Sequence, residues 1–194
     1  MRPARLASLA CGCLLAGLAS GAAAQYRLDI DPPPSWRGGW KQAANTGGQG
    51  WRLLVYMPAD AVEGEPSDLV SITRMRARSK DDGVKRLVEA WALQLKRNCK
   101  VLSAVPDTEK VGEEFNVGYA EFYCPERTDT GAGATDVVKV MAAGNEAHLV
   151  AVTHMSAPFR QITPLAGWVS WAKAYLESEV RLCRGPLLKR VCSP

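Results

Sequence analysis

Imidazole is scarce in this chain: of its 194 residues, only His148 and His154 carry it. Both fall in an apolar stretch, Ala147 to Met155, whose length and composition predict a β-strand. At ~3.3 Å of rise per residue they stand ~20 Å apart along it, on one face by the two-residue period. In a straight strand they cannot share a metal ion or flank one substrate atom. Paired short spacings such as C-x-x-C, which zinc sites need, are also missing. An excess of one charge is lacking as well. Setting aside Arg2 and Arg5 leaves 22 Lys and Arg against 20 Asp and Glu. So even a balance lacks the concentrated basic surface that phosphate neutralisation requires, and nucleic acid is excluded as a partner. After the N-terminal segment no long apolar run occurs, so no transmembrane segment is expected in the processed chain.

That N-terminal segment has the three parts of a secretory signal. Arg2 and Arg5 supply the positive end, and Leu6 to Leu18 is an uncharged apolar run too short to span a bilayer as a helix. Ala22-Ala23-Ala24 offers the small residues of a cleavage site. Cys11 is preceded by Ser8-Leu9-Ala10, but the apolar run continues past it, which argues against a lipid-modified cysteine. Residues 1–24 are therefore read as a signal peptide and 25–194 as a single domain, periplasmic or secreted.

Four cysteines remain in that domain: Cys99, Cys124, Cys183 and Cys192. An even number in an oxidising compartment points to disulfides, with three possible connectivities. Cys99–Cys124 and Cys183–Cys192 are expected, because each pair is closest in sequence and falls at the ends of expected elements.

Periodicity supplies the element order. Pro32-Pro33-Pro34 keeps the lead-in out of helices and central strands, and Trp36 and Trp40 suit a segment docked on the body. Two strands, Trp40 to Asn45 and Trp51 to Met57, flank a glycine-rich turn. A third runs from about Asp68 to Arg78. Its faces divide into Leu69, Ser71, Thr73, Met75 and Ala77 against Val70, Ile72, Arg74, Arg76 and Arg78. A helix from Lys80 to Asn98, capped by Ser79, carries the apolar stripe Val84, Leu87, Val88, Trp91 and Leu95. Strands follow at Lys100 to Val105, Glu114 to Cys124, Thr135 to Ala142 and Ala147 to Met155. Gly144-Asn145 makes the hairpin turn between the last two. A closing helix, with Thr163 as cap and Pro164 at its first position, runs to Cys183. The fold class is α+β, an antiparallel-rich sheet of six or seven strands with two main helices packed on it.

The motif W-x-L-L-V-Y-M-P at Trp51 to Pro58, the strand L-V-S-I-T-R-M-R-A-R and the helix ending in Cys99 resemble small exported proteobacterial proteins of unknown function. The G-N hairpin and the tail with Trp171, Tyr175, Leu176, Cys183 and Cys192 extend the likeness. The element order is also similar to the Mog1/PsbP-like fold, a sheet with helices on both sides. That resemblance implies a binding or assembly role and transfers no catalytic residue.

The remaining motifs are weak. Asp129-Thr130-Gly131-Ala132 spells the aspartic-protease signature, but that chemistry needs two carboxylates sharing a proton and an apolar strand before the Asp. Pro125 to Thr128 precedes it instead. The six tryptophans fit core filling, or an aromatic-lined groove. Arg74, Arg76 and Arg78 form a basic stripe on one strand face. It suits an acidic partner or an anionic headgroup, or simply guards an edge strand. These three are the candidate partner-binding residues. No catalytic, metal-binding or cofactor-binding set is assigned. The leading expectation is a non-enzymatic protein-binding domain, an envelope accessory or an immunity-type inhibitor of a toxin. The alternatives are a carrier of a small apolar or lipid ligand, and a small hydrolase whose residues meet only in the fold.

Overall fold

The structure, a computed structural model, describes residues 26–36, 38–62, 68–185 and 191–194. The expected signal peptide over residues 1–24 lies outside them. The strands are β1 (Tyr26–Ile30), β2 (Trp40–Gly48), β3 (Trp51–Pro58), β4 (Leu69–Arg76), β5 (Ser103–Val111), β6 (Asn116–Cys124), β7 (Gly133–Ala143), β8 (Glu146–Ser156), β9 (Val180–Arg184) and β10 (Val191–Cys192). Helix α1 (Lys80–Arg97) follows β4, and α2 (Ala166–Glu179) precedes β9.

Seven strands form one sheet in the order β2-β3-β4-β8-β7-β6-β5, and β1-β9-β10 form a second, small one. Every pairing is antiparallel, as the hairpin-linked order leads one to expect. The strands outnumber the six or seven of the sequence reading, because the second sheet was not anticipated. The large sheet is two meanders, β2-β3-β4 and β5-β6-β7-β8, joined where β4 lies against β8 from Leu69↔Thr153 to Arg76↔Glu146.

The two helices cover opposite faces. Alternate residues of β7, Val138, Val140 and Ala142, meet Val84, Leu87 and Trp91 of α1. On the opposite face of the strand, Val137 and Met141 meet Ala172 and Leu176 of α2 and Leu182 of β9. Burial on both faces explains why β6, β7 and β8 read as nearly continuous apolar runs rather than alternating ones. The β2–β3 end is different. Neither helix packs substantially on it, and β2 is exposed along almost its whole length.

Helix α1 begins as the sequence specifies: the Asp82 amide donates to Ser79 Oγ at 3.2 Å, and Val84, Leu87 and Trp91 are buried. Gly83 brings its first turn down onto small residues. A Cβ there would sit 3.0 Å from Ala147 Cβ and 3.1 Å from Ala142 Cβ, so a larger side chain would lift the helix off the sheet.

The closing helix departs from expectation twice. Thr163 is not a side-chain cap; it opens a 3-10 turn, Thr163–Leu165, with Pro164 inside it. The helix then ends at Glu179 rather than Cys183, and β9 pairs with β1 from Tyr26↔Arg184 to Ile30↔Val180. Part of the lead-in is thereby a strand, and Trp36 beyond it is buried in the core, docked as expected.

Both expected disulfides are present. Cys99–Cys124 ties the end of α1 to the end of β6, 25 positions on, and Cys183–Cys192 pins β10 to β9 across 9 positions. Such bonds persist in oxidising compartments. No helix among the described residues is long and apolar enough to cross a membrane.

Two buried ionisable side chains interrupt β7. Lys139 Nζ donates to the Val180 and Pro194 oxygens at 2.8 and 2.9 Å and lies over the Tyr119 ring. Burial pushes its pKa down to about 8. On the opposite face, Asp136 is fully enclosed. It accepts from Thr153 Oγ1 at 2.6 Å, yet desolvation raises its pKa to about 6 against the opposing pull of Thr153, Arg127 and Trp91.

Candidate functional site: an arginine pocket on the open half of the sheet

The β2–β3 hairpin turns at Gln49 and Gly50, where Gly50 takes φ +85°, a conformation that strains any residue with a side chain. The Arg76 amide donates to the Gly50 oxygen at 2.9 Å, which fastens this turn to the end of β4. Antiparallel register then does the assembling. Arg52 stands opposite Arg74, and Arg74 opposite His148, in one row across β3, β4 and β8. Arg76 stands opposite Glu146 one step along. All of these side chains belong to the face that α2 covers elsewhere, since Val70 and Ile72 precede Arg74 and Arg76 on it.

A pocket of about 260 Å³ opens here, lined by Gly48, Gly50, Trp51, Arg52, Arg74 and Arg76. Gly48 leaves room for the Trp51 indole: a Cβ there would come within 2.9 Å of Trp51 Nε1. Arg52 is steadied by Asn45, its Nε donating to Oδ1 at 3.2 Å. Among the described residues neither Arg52 nor Arg76 has a carboxylate at ion-pair distance. Arg74 does: its Nη2 meets Glu146 Oε1 at 2.5 Å. Three guanidinium groups against one carboxylate leave the pocket cationic. Guanidinium forks match carboxylate geometry, and the arrangement therefore suits an anion.

Behind this pocket is a buried imidazole. His148 is only 5% exposed, and its Nε2 lies 3.7 Å from Glu146 Oε2. Among the described residues neither of those two atoms has a hydrogen-bond partner. Desolvation pushes the imidazole down to about 4, and the Arg74 charge works the same way, while Glu146 opposes both.

Of the basic stripe expected from sequence, Arg74 and Arg76 line the pocket. Arg78 lies exposed beyond the end of β4 and does not. The third guanidinium comes from Arg52, which the sequence reading passed over. Its only sequence signal is a lone cation in an otherwise apolar strand. The antiparallel register of β3 on β4 is needed to bring it beside Arg74.

Trp51 also borders a second cavity of about 260 Å³ on the other face. This apolar groove runs between α1 and β3, over Leu53, Met75, Leu87, Trp91 and Leu149. Two of the six tryptophans, Trp51 and Trp91, thus meet at one groove.

His154 lies elsewhere on the sheet. Its Nδ1 is 2.7 Å from Asp68 Oδ1, and its ring packs at 5.2 Å on Trp168, whose Nε1 donates to Asp68 Oδ2 at 3.4 Å. The imidazole has its acid, but no serine or threonine hydroxyl is bonded to it among the described residues. Neither of the two cavities above includes it. Asp129 sits in an exposed turn, held by both Nε and Nη2 of Arg127 at 2.9 and 2.6 Å. Those hydrogen bonds hold its carboxyl below the usual range, the state of a structural ion pair. Among the described residues no group of three or more His, Cys, Asp and Glu side chains is placed to hold a metal ion.

No protein-family model matches this sequence, and no curated protein does either.

Proposed function

We propose that this is a non-enzymatic, exported binding protein whose partner is an acidic segment of another protein, gripped at the arginine pocket. One observation carries the reading. The uncovered β2–β3 end of the large sheet presents three guanidinium groups around a single pocket, with two of them free of carboxylates among the described residues. Charge arranged this way steers a partner of opposite sign and fixes its register. The two disulfides favour an oxidising compartment, periplasmic or extracellular, which agrees with the signal peptide read in the sequence. An envelope assembly accessory or an immunity-type inhibitor of a delivered toxin fits this description. So does a Mog1/PsbP-like architecture, whose members the resemblance associates with binding rather than chemistry.

Capture from periplasmic extract tests it by comparison between variants. The protein and an Arg97→Glu control on α1 should both retain an acidic protein that elutes with salt. The double variant Arg52→Glu/Arg76→Glu should lose about tenfold or more of that affinity, by removing two attractions and adding two repulsions. Identical captures by all three proteins would sink the reading.

A second reading, a carrier of a small apolar or lipid ligand, is favoured by the groove beside Trp51 and Trp91. Native mass spectrometry separates the two, because a carrier retains bound mass after purification.

A further inference from the structure

Glu146 stands between two claimants. One of its oxygens already serves Arg74 at 2.5 Å. The other has no hydrogen-bond partner among the described residues and faces an equally unpartnered His148 nitrogen 3.7 Å away. One proton on that nitrogen and a shift of less than 1 Å would satisfy both atoms, since an N⁺–H···O⁻ bond closes to about 2.8 Å. An anion arriving among the arginines would supply Arg74 with another acceptor and free the carboxylate to make that shift.

We propose that the arginine pocket takes up its acidic ligand together with a proton at His148, with Glu146 passing from Arg74 to the imidazole as the ligand's carboxylate arrives. The inference rests on the acidic-partner reading above and gives that site a pH dependence. The charged groups facing His148 are few. Glu146 lies on its own strand, and Arg74 lies opposite it on β4 with Arg76 one step along. On β7 its neighbour is Met141, which carries no charge. In the unliganded protein Arg74 holds the carboxylate and adds to the burial that keeps His148 neutral. A bound anion weakens that repulsion and releases the carboxylate, so both changes favour the imidazolium. By linkage the proton must then favour the anion by the same factor.

Binding of an oligoglutamate peptide, followed by calorimetry on the full protein, tests this. Between about pH 7.5 and about pH 5.5 the wild-type affinity should rise roughly three- to fivefold, the rise expected if bound-state His148 titrates near 6. Glu146→Gln removes the internal competitor. It should bind about tenfold tighter at about pH 7.5 and show no further rise at the lower pH. His148→Gln should keep the neutral-pH affinity and lose the rise. Comparing slopes among the three proteins cancels the peptide's own protonation. Repeating the titration at about pH 5.5 in buffers of different ionisation heat should show the wild type taking up about 0.7 proton per peptide more than either variant. Circular dichroism confirms that each variant is folded. Equal slopes and equal affinities in all three proteins overturn the proton coupling while leaving the acidic-partner reading intact. Absence of peptide binding at every pH overturns both.

Discussion

Replacing Asp136 with Asn is expected to steepen the fall of stability in acid. Two buried groups on opposite faces of the large sheet titrate against each other in the same window. Asp136 has its folded pKa raised to about 6, so the folded state holds a proton that the unfolded chain has already released. Its contribution is present below about pH 4 and is lost as pH rises through about 6. His148 has its folded pKa lowered to about 4. The unfolded chain therefore keeps a proton that the fold rejects, and its contribution is present above about pH 6.5 and lost as pH falls through about 4. Each swing is on the order of 3 kcal/mol, from a shift of roughly two units at 1.36 kcal/mol per unit, and the two nearly cancel. Asp136→Asn leaves the imidazole alone, so stability should climb by that amount between about pH 4 and about pH 6.5 relative to wild type. His148→Gln leaves the carboxyl alone and should produce the opposite slope. Urea denaturation across the range reads both, as differences from the wild-type profile. Variant profiles parallel to the wild type would show that one or both groups titrate normally.

Removing Cys99–Cys124 should cost more than removing Cys183–Cys192. The first closes a loop of 25 positions and the second one of 9. Loop-closure entropy alone assigns them about 3.5 and about 2.6 kcal/mol. Packing widens the difference. Cys124 is almost completely buried beside Ala134, Leu102 and Met155. The bond also holds the crossing where the Lys100 amide donates to Glu126 and the Thr128 amide to Asn98. Denaturant midpoints of the two Cys→Ala pairs measure the ranking. A smaller loss from the longer loop would mean that the unfolded chain is already compact around residues 99–124.

The faces of β4, the stripe of α1 and the Gly144-Asn145 hairpin were legible because each is written within one element. The two disulfides were legible from proximity. The misses share a physical cause. In β1, Tyr26 to Ile30 is short and follows no periodic run, and its partner lies about 150 residues away in β9, so nothing local marks it. Val180 continues the α2 stripe at i+4 from Leu176 and fits a helix. Pairing with Ile30 and the bond at Cys183 claim it for a strand instead. Lys139 and Asp136 read as the polar residues of a half-exposed strand, but β7 is covered on both sides and buries each of them. In the candidate site, Arg74 and Arg76 were visible as an alternating pair, while Arg52 required a neighbouring strand's register. Glu146 and His148 are two positions apart and unremarkable until Arg74 is set opposite.

The joint between the two meanders bears on how the chain assembles. Every other neighbouring pair in the large sheet is a hairpin that closes locally. β4, by contrast, meets β8 only after α1 and three further strands have been made, and contacts so distant in sequence form slowly. Until β8 is in place the first meander has the flank of β4 bare, an invitation to pair with a neighbouring chain. Two cations on that strand repel a second copy of the same edge. The same two arginines that line the pocket thus also lie on the strand whose pairing closes last.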